Sequence, residues 1–187
     1  MIAAAKRWLR WPKLRSDGER PNFAAAAADG HTDIGFLADD PRHFELFAAW
    51  LYAEWSRPRG ETLENRRGAL RNQMRVDRLP VALTAYWEGK PAGIVSLRQS
   101  DLHTRTMVGP WLSALYVDEA FRGKGIGRSL VGATVTLAAW LGHREVWLFT
   151  TDRRSFYEQL GWVRMAPLPA ELRQSPPPDV FRRATGG

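Results

Sequence analysis

The chain has 187 residues, of which 44% are hydrophobic, so it can bury one sizeable core and a single domain is expected. It contains no cysteine, which excludes disulfides, thiolate metal sites and thiol nucleophiles. Five of its 27 basic residues lie in the first 15 positions, where no acidic residue occurs, and the other 22 nearly balance the 20 acidic residues. A nucleic-acid-binding face is therefore not indicated.

The first 30 residues differ in composition from the rest of the chain. Residues 2–11 can form a short basic amphipathic helix. Contact of this helix with an anionic membrane surface is the alternative to a flexible leader. The stretch FAAAAADG, residues 23–30, is of low complexity and is typical of a linker. No apolar run approaches the ~20 residues of a membrane helix. We predict a flexible basic leader and linker over residues 1–30, then a single domain over residues 31–187 with a Pro-rich C-terminal segment.

The first part of this domain has the patterns of one strand, two helices and a hairpin. Residues 32–40 predict a short strand, and Asp40-Pro41 is a typical helix start. Apolar residues with helical spacing follow up to Trp55. A second helix is predicted over residues 61–76, and two strands are predicted on either side of the turn at residues 88–91.

The second part alternates strands and helices. WLSALYV, residues 111–117, predicts a fourth strand, and the helix that follows over residues 127–141 ends at Gly142. The remaining elements are a fifth strand over residues 145–150, a short helix over 153–161 and a strand over 162–166, while one more edge strand over 179–184 stays open. The fold class is mixed α/β (α+β).

A glycine-rich loop joins the fourth strand to the long helix. It reads Arg122-Gly-Lys-Gly-Ile-Gly127, and glycines at a helix N-terminus allow an anion to approach unpaired backbone amides. Arg122, Lys124 and Arg128 add positive charge, so a phosphate or pyrophosphate ligand is indicated. The spacing matches neither a nucleotide P-loop nor a dinucleotide fingerprint.

The pattern Arg-x-x-Gly-x-Gly, entered through LYVDEAF, resembles the coenzyme A loop of the GNAT acetyltransferases. FYEQLGW, residues 156–162, resembles a second motif of that family, and the element order from Asp33 to Ala166 is similar as well. The resemblance implies a GNAT-like fold, with a mixed, mostly antiparallel twisted sheet of six to seven strands. It also implies helices on both faces of the sheet and a splayed pair formed by the fourth and fifth strands.

The resemblance further implies roles for individual residues. Tyr157 corresponds to the general acid and the main-chain amide of Val117 to the oxyanion donor. Glu145 is a candidate general base, beside Asp101, His103 and a chain of water molecules. The implied cofactor-binding residues are Leu115, Tyr116, Val117, Arg122, Gly123, Lys124, Gly125, Ile126, Gly127 and Arg128.

One departure from the family pattern lies before the second motif, where the family often has asparagine. Here the segment is Thr150-Thr151-Asp152, and we expect Asp152 to cap the helix. The candidate residues for acceptor binding are Trp55, Asp101, His103 and Trp111.

The function implied is an acetyl-CoA-dependent N-acetyltransferase that moves an acetyl group to an amine of a small molecule, in the cytoplasm, as a monomer or homodimer. Acetyl-CoA is the acyl donor, and no metal is expected, because the four histidines lack metal-ligand spacing. The alternative is a non-catalytic CoA-binding sensor or partner module of the same fold.

Overall fold

The computed structural model describes residues 19–27, 30–100, 109–165 and 178–186. Within these ranges the chain forms four α-helices and seven strands in one sheet. The helices are α1 (Phe44–Leu51), α2 (Leu63–Arg71), α3 (Ile126–Trp140) and α4 (Arg154–Gln159). The strands are β1 (Thr32–Phe36), β2 (Val81–Trp87), β3 (Lys90–Arg98), β4 (Trp111–Val117), β5 (Glu145–Thr150), β6 (Val163–Arg164) and β7 (Asp179–Ala184).

The sheet has the order β1-β2-β3-β4-β5-β7-β6, and every neighbouring pair is antiparallel except β4–β5. The segment at residues 179–184 is a strand, but it does not lie at the edge of the sheet. β7 pairs with β5 over six positions on one side and with β6 on the other. The two-residue β6 forms the edge because it pairs only with β7 among the described strands.

The parallel strands β4 and β5 are in contact at one end only, where Trp111 pairs with Trp147. Beyond this pair β4 contains a bulge, since Ala114 and Leu115 both face Val95 of β3. Ala114 has a φ of +51°, which is uncommon for a residue other than glycine. A bulge bends and twists its strand, and β4 therefore turns away from β5. The predicted mixed sheet with splayed fourth and fifth strands is confirmed.

Helices cover both faces of the sheet. Helix α3 buries a broad stripe against β2, β3 and β5, with Leu130, Leu137 and Ala138 fully buried. Helices α1 and α2 cover the opposite face of β2 and β3, where Phe47, Leu51 and other apolar residues form a second cluster. No helix in the described part of the chain is long and apolar enough to cross a membrane.

Residues 19–27 pack on the domain, although the sequence predicts a flexible leader there. Phe23 is only 7% exposed and its ring lies 5.6 Å from that of Phe36. The indole of Trp140 donates a hydrogen bond of 2.7 Å to the carbonyl of Glu19. The linker interpretation is thus corrected for Phe23, which is a core residue; the predicted basic helix at residues 2–11 lies outside the described residues.

The predicted first helix consists of three successive helical forms. Asp40 caps a 3-10 turn at Pro41–His43 by accepting a hydrogen bond of 3.2 Å from the amide of Arg42, and α1 follows. The chain then widens into a π-helical turn at Tyr52–Ser56. α2 ends at Arg71, five residues before the predicted end, because residues 72–80 turn into β2.

Candidate active site

The diverging ends of β4 and β5 open a pocket of about 660 Å³. Its walls come from β4, the loop before α3, the first turn of α3, the segment from β5 to α4, and the π-helical turn. Nine of the ten predicted cofactor-binding residues line it, and only Lys124 does not. These nine are Leu115, Tyr116, Val117, Arg122, Gly123, Gly125, Ile126, Gly127 and Arg128.

The loop before α3 is shaped by short-range hydrogen bonds and by two glycines. The carboxylate of Asp118 accepts a hydrogen bond of 3.0 Å from the amide of Ala120, and Arg122 donates through Nε to the carbonyl of Val117 at 3.1 Å. Gly123 and Gly125 have φ values of +80° and +84°, a conformation that other residues rarely adopt. The glycines are therefore required by the path of the chain.

The N-terminus of α3 is open to the pocket. Its N-cap is Gly125, which has no side chain to accept a hydrogen bond, and no acidic residue lies in the first turn. The first helical hydrogen bond joins the amide of Ser129 to the carbonyl of Gly125 at 3.0 Å. The amides of residues 126–128 thus have no partner within the helix, and together with the helix dipole they favour an anion.

Cations of the loop are arranged on both sides of it. Arg122 lines the pocket, with its guanidinium 6.0 Å from the ring centre of Tyr116 and 3.4 Å from the carboxylate of Glu119. Lys124 instead lies over the ring of Trp87, at 5.0 Å, outside the pocket. The expected role of Lys124 is that of its main-chain amide, which this side-chain position does not test, so cofactor binding by Lys124 stays a prediction.

Tyr157 lies in the wall that α4 contributes to the pocket. It is 7% exposed, and its ring is held by Phe156, Trp162 and Phe181 at centroid distances of 5.0, 6.0 and 6.1 Å. Burial, with a smaller effect of the Asp152 charge, raises the pKa of Tyr157 to about 12. The phenol is therefore protonated at neutral pH and is available as a hydrogen-bond donor.

The expectation that Asp152 caps α4 is wrong: the N-cap residue is Arg153, and no side chain forms a capping hydrogen bond there. The hydroxyl of Thr150 accepts a hydrogen bond of 3.1 Å from the amide of Arg153, whereas Asp152 forms an ion pair with Arg153 at 3.2 Å. The hydrogen bond of Thr150 therefore stabilises the turn between β5 and α4.

Two other predicted site residues lie outside the pocket. The carboxylate of Glu145 accepts a hydrogen bond of 2.8 Å from the indole of Trp147 and pairs with Arg182 at 3.3 Å. Trp111 is 1% exposed and packs against Trp147, at a centroid distance of 6.1 Å. Both lie where β4 and β5 are still in contact, before the strands separate. Glu145 as a base and Trp111 as an acceptor residue therefore have no support from the geometry.

Of the remaining acceptor candidates, one lies in the described part of the chain. Trp55 lines the pocket from the π-helical turn, next to Tyr116. Asp101 and His103 lie outside the described residues.

Glu54 and Ser113 are among the lining residues of the pocket that sequence reasoning did not identify. Glu54 precedes Trp55 in the π-helical turn and lines the pocket with it. Ser113 is 6% exposed, also lines the pocket, and its Oγ has no hydrogen-bond partner within the described structure. A buried polar group without a partner is costly, so the hydroxyl of Ser113 suits a ligand atom in the pocket. Neither residue belongs to a motif, and no sequence signal distinguishes them.

Clusters of three or more histidine or acidic residues that could hold a metal ion are absent from residues 19–27, 30–100, 109–165 and 178–186.

One family model and several solved structures are similar to this chain. Residues 80–164 match a family model described as acetyltransferase (GNAT) domain. An aminoglycoside 6'-N-acetyltransferase complexed with coenzyme A is similar in structure, at 18% identity and a TM-score of 0.64, over 83% of this chain and 98% of that chain. So is the aminoglycoside 6'-N-acetyltransferase from Enterococcus faecium, at 18% identity and a TM-score of 0.63, over 83% and 98%.

A third similar structure is Ard1 from Thermoplasma volcanium, at 19% identity and a TM-score of 0.59, over 82% of this chain and 97% of that chain. At such identities these likenesses concern the fold, and the predicted fold is confirmed by them.

Proposed function

We propose that the protein is an acetyl-CoA-dependent N-acetyltransferase of the GNAT family, on the premise that residues 80–164 match the model of a GNAT acetyltransferase domain. The observation that carries the proposal is the composition of the pocket. The lining combines an uncapped helix N-terminus, with two glycines of positive φ, and the phenol of Tyr157. The first suits the pyrophosphate of coenzyme A, and the second suits the sulfur of its thioester.

The residues present fit coenzyme A. The amides of residues 126–128, with Arg122 and Arg128, would hold the pyrophosphate. The main chain of β4 from Leu115 to Val117 lines the pocket beyond the bulge and would hold the pantetheine arm. The hydroxyl of Ser113 has no hydrogen-bond partner among the described residues and offers a further polar contact in the same pocket.

Acetyl-CoA would supply an activated acyl group: an uncharged amine of the acceptor would attack the thioester carbonyl, the C–N bond would form as the C–S bond breaks, and the proton lost by the nitrogen would end on the released thiol. The amide of Val117 is proposed to stabilise negative charge on the carbonyl oxygen. Tyr157 donates a hydrogen bond to the developing thiolate. Its pKa of about 12 exceeds the ~8.5 of a free thiol. The phenol would therefore keep its proton and stabilise the thiolate as a hydrogen-bond donor.

We propose a small-molecule amine as the acceptor and the cytoplasm as the location, since acetyl-CoA is available there. An open pocket walled by aromatic side chains supports a small acceptor. Two of the similar structures are aminoglycoside acetyltransferases, which act on molecules of this class. The alternative is a non-catalytic sensor of coenzyme A. A sensor would need the same loop but would not need the phenol of Tyr157.

The test is a calorimetric titration of the protein with acetyl-CoA, followed by a thiol-release assay with a panel of amines. Binding together with amine-dependent thiol release is the expected result. Binding without release from any amine would favour the sensor, and an absence of binding would overturn both functions.

A further inference from the structure

The π-helical turn at Tyr52–Ser56 sets the direction of the side chains at one end of the pocket. A π turn contains an extra residue compared with an α-helical turn and is often found at functional sites. Here it directs Glu54 and Trp55 toward the pocket, while Ser56 is fully buried on the other side. This turn is the only element from the α1–α2 side of the sheet that contributes to the described lining.

The turn is anchored from behind by a polar network. The hydroxyl of Ser56 donates a hydrogen bond of 2.8 Å to Glu61 and accepts one of 2.8 Å from Nε of Arg66. Arg66 is only 9% exposed, so the network is mostly shielded from water. Ordered hydrogen bonds of this kind hold the backbone of the turn in place, and thereby the position of Glu54.

Glu54 has no cationic partner among the described residues, unlike the other carboxylate that lines the described pocket. Two carboxylates line the described pocket, and the other one, Asp152, forms an ion pair with Arg153 at 3.2 Å. Glu119, on the loop, pairs with Arg122 at 3.4 Å. Glu54 has no ion pair with any residue that the structure describes. A carboxylate directed into a pocket without a partner is suited to a cation from outside the chain.

Aromatic rings next to Glu54 suit the same kind of ligand. The rings of Trp55 and Tyr116 meet edge to face with centroids 6.3 Å apart, and Trp50 lies 5.3 Å from Tyr116. The faces of such rings attract ammonium groups. Burial raises the pKa of Tyr116, the charge of Asp118 raises it further and that of Arg122 lowers it, while the charge of Glu54 has a smaller raising effect.

The nitrogen that attacks a thioester must be uncharged. A carboxylate stabilises the ammonium form of an amine at its side, and would therefore oppose the attack if it held the reacting nitrogen. It can instead hold a second nitrogen that stays charged throughout. We propose that Glu54 binds a non-reacting ammonium group of the acceptor against Trp55 and Tyr116, so that the substrates are amines with at least two amino groups.

This inference rests on the proposed function, and its test compares two acceptors of equal length. 1,4-Diaminobutane can carry a second ammonium, whereas 4-amino-1-butanol has a neutral hydroxyl in its place. The ratio of their kcat/KM values is measured by thiol release at saturating acetyl-CoA, in the wild type and in Glu54→Gln. Spermidine and kanamycin extend the panel to longer amines.

In the wild type we expect a preference for amines with a second ammonium of about tenfold, the effect of one charge-assisted contact in a partly open site. In Glu54→Gln the preference falls toward one through a higher KM for these amines, with the KM for acetyl-CoA unchanged. The matched control is Glu64→Gln, which removes an exposed carboxylate of α2 that does not line the pocket. That variant keeps the wild-type preference.

The possible failures are distinguishable. If the wild type releases thiol but Glu54→Gln keeps the wild-type preference, the role of Glu54 is overturned while the proposed function stands. A wild type that prefers the amino alcohol would overturn the substrate class. No thiol release with any amine would overturn the proposed function, and this inference with it.

Discussion

The two ends of the pocket are built in different ways. The end formed by the loop and α3 presents main-chain amides, and its shape depends on Gly123 and Gly125. The end formed by the π-helical turn presents the side chains of Glu54 and Trp55, on a backbone held by buried hydrogen bonds of Ser56. A main-chain site depends on the conformation of the chain, whereas a side-chain site can change specificity by single substitutions. We therefore expect changes in the loop to affect the donor, and changes in the turn to affect the acceptor.

The largest effect is expected from Gly125→Glu, which introduces an anion where the amides would hold the pyrophosphate. Acetyl-CoA affinity should fall by about 100-fold or more, because several charge-assisted hydrogen bonds are lost together. The positive φ costs about 1–2 kcal/mol of stability, partly offset by favourable interaction of the new carboxylate with the helix dipole. Calorimetry measures the affinity, and thermal unfolding measures the stability.

Gly89→Glu is the matched control for this prediction. It places the same side chain at a φ of +76°, in open space, at the β2–β3 turn outside the pocket. Equal loss of affinity in both variants would show that the effect is not local to the loop.

Tyr157→Phe tests the chemistry between the two ends. Removal of the phenol should lower kcat by about 100-fold, as expected for a lost acid or hydrogen-bond donor, with the KM for acetyl-CoA little changed. Steady-state kinetics by thiol release measures both constants. A variant with wild-type kcat would limit Tyr157 to a packing role.

Alkaline unfolding tests whether the phenol of Tyr157 is buried with a raised pKa. The pKa of Tyr157 is about 12 in the folded protein and ~10 in the unfolded chain, so the fold favours the neutral phenol. The wild type then loses stability as the pH rises from about 10 to about 12, by up to about 2–3 kcal/mol, whereas the variant lacks this loss. Denaturant unfolding at pH 9 and pH 11 gives the difference.

Ser113→Ala has a smaller effect of opposite sign on stability and on binding. The variant removes a buried hydroxyl that lacks a partner among the described residues, so the free protein should become more stable by up to about 1 kcal/mol. Ligand affinity should fall by a few-fold, since one neutral hydrogen bond is lost. Thermal unfolding with and without acetyl-CoA checks both changes. Lower stability without ligand would mean that the hydroxyl already has a partner.

Glu145→Gln should have the smallest effect, a change in kcat/KM of less than about twofold. Its carboxylate is engaged by Trp147 and Arg182 before the strands separate, and an exposed ion pair of this kind contributes about 0–1 kcal/mol. The pH dependence of kcat is the sensitive measurement. A large drop in kcat with a flattened pH profile would restore Glu145 as the general base.

The part of the pocket formed by the glycine-rich loop and the start of α3 could be predicted from sequence because its features are local. Gly123, Gly125 and the helix start lie within a few residues of one another, and Tyr157 lies on the next helix of a recognisable motif. The splayed strands followed from the same resemblance.

The rest depends on contacts between distant segments. Glu54 is directed into the pocket by a π turn, and this turn is fixed by Ser56 and Arg66, ten positions apart. In the sequence Ser113 resembles any polar residue of a strand. Only the structure shows that its hydroxyl has no hydrogen-bond partner among the described residues. Similarly, nothing in the alanine-rich stretch that begins with Phe23 indicates that this ring packs against Phe36.

The position of β7 has a consequence for the order in which the protein matures. The ribosome delivers β5 and β6 before β7, yet β7 is the strand that joins them in the sheet. On the other side β5 meets β4 at a single registered pair. Before residues 179–184 join the sheet, β5 has this pair with β4 and its packing against α3, so the pocket between β4 and β5 gains its complete second wall last. A chain in which β7 has not yet formed has the complete glycine-rich loop but an incomplete pocket.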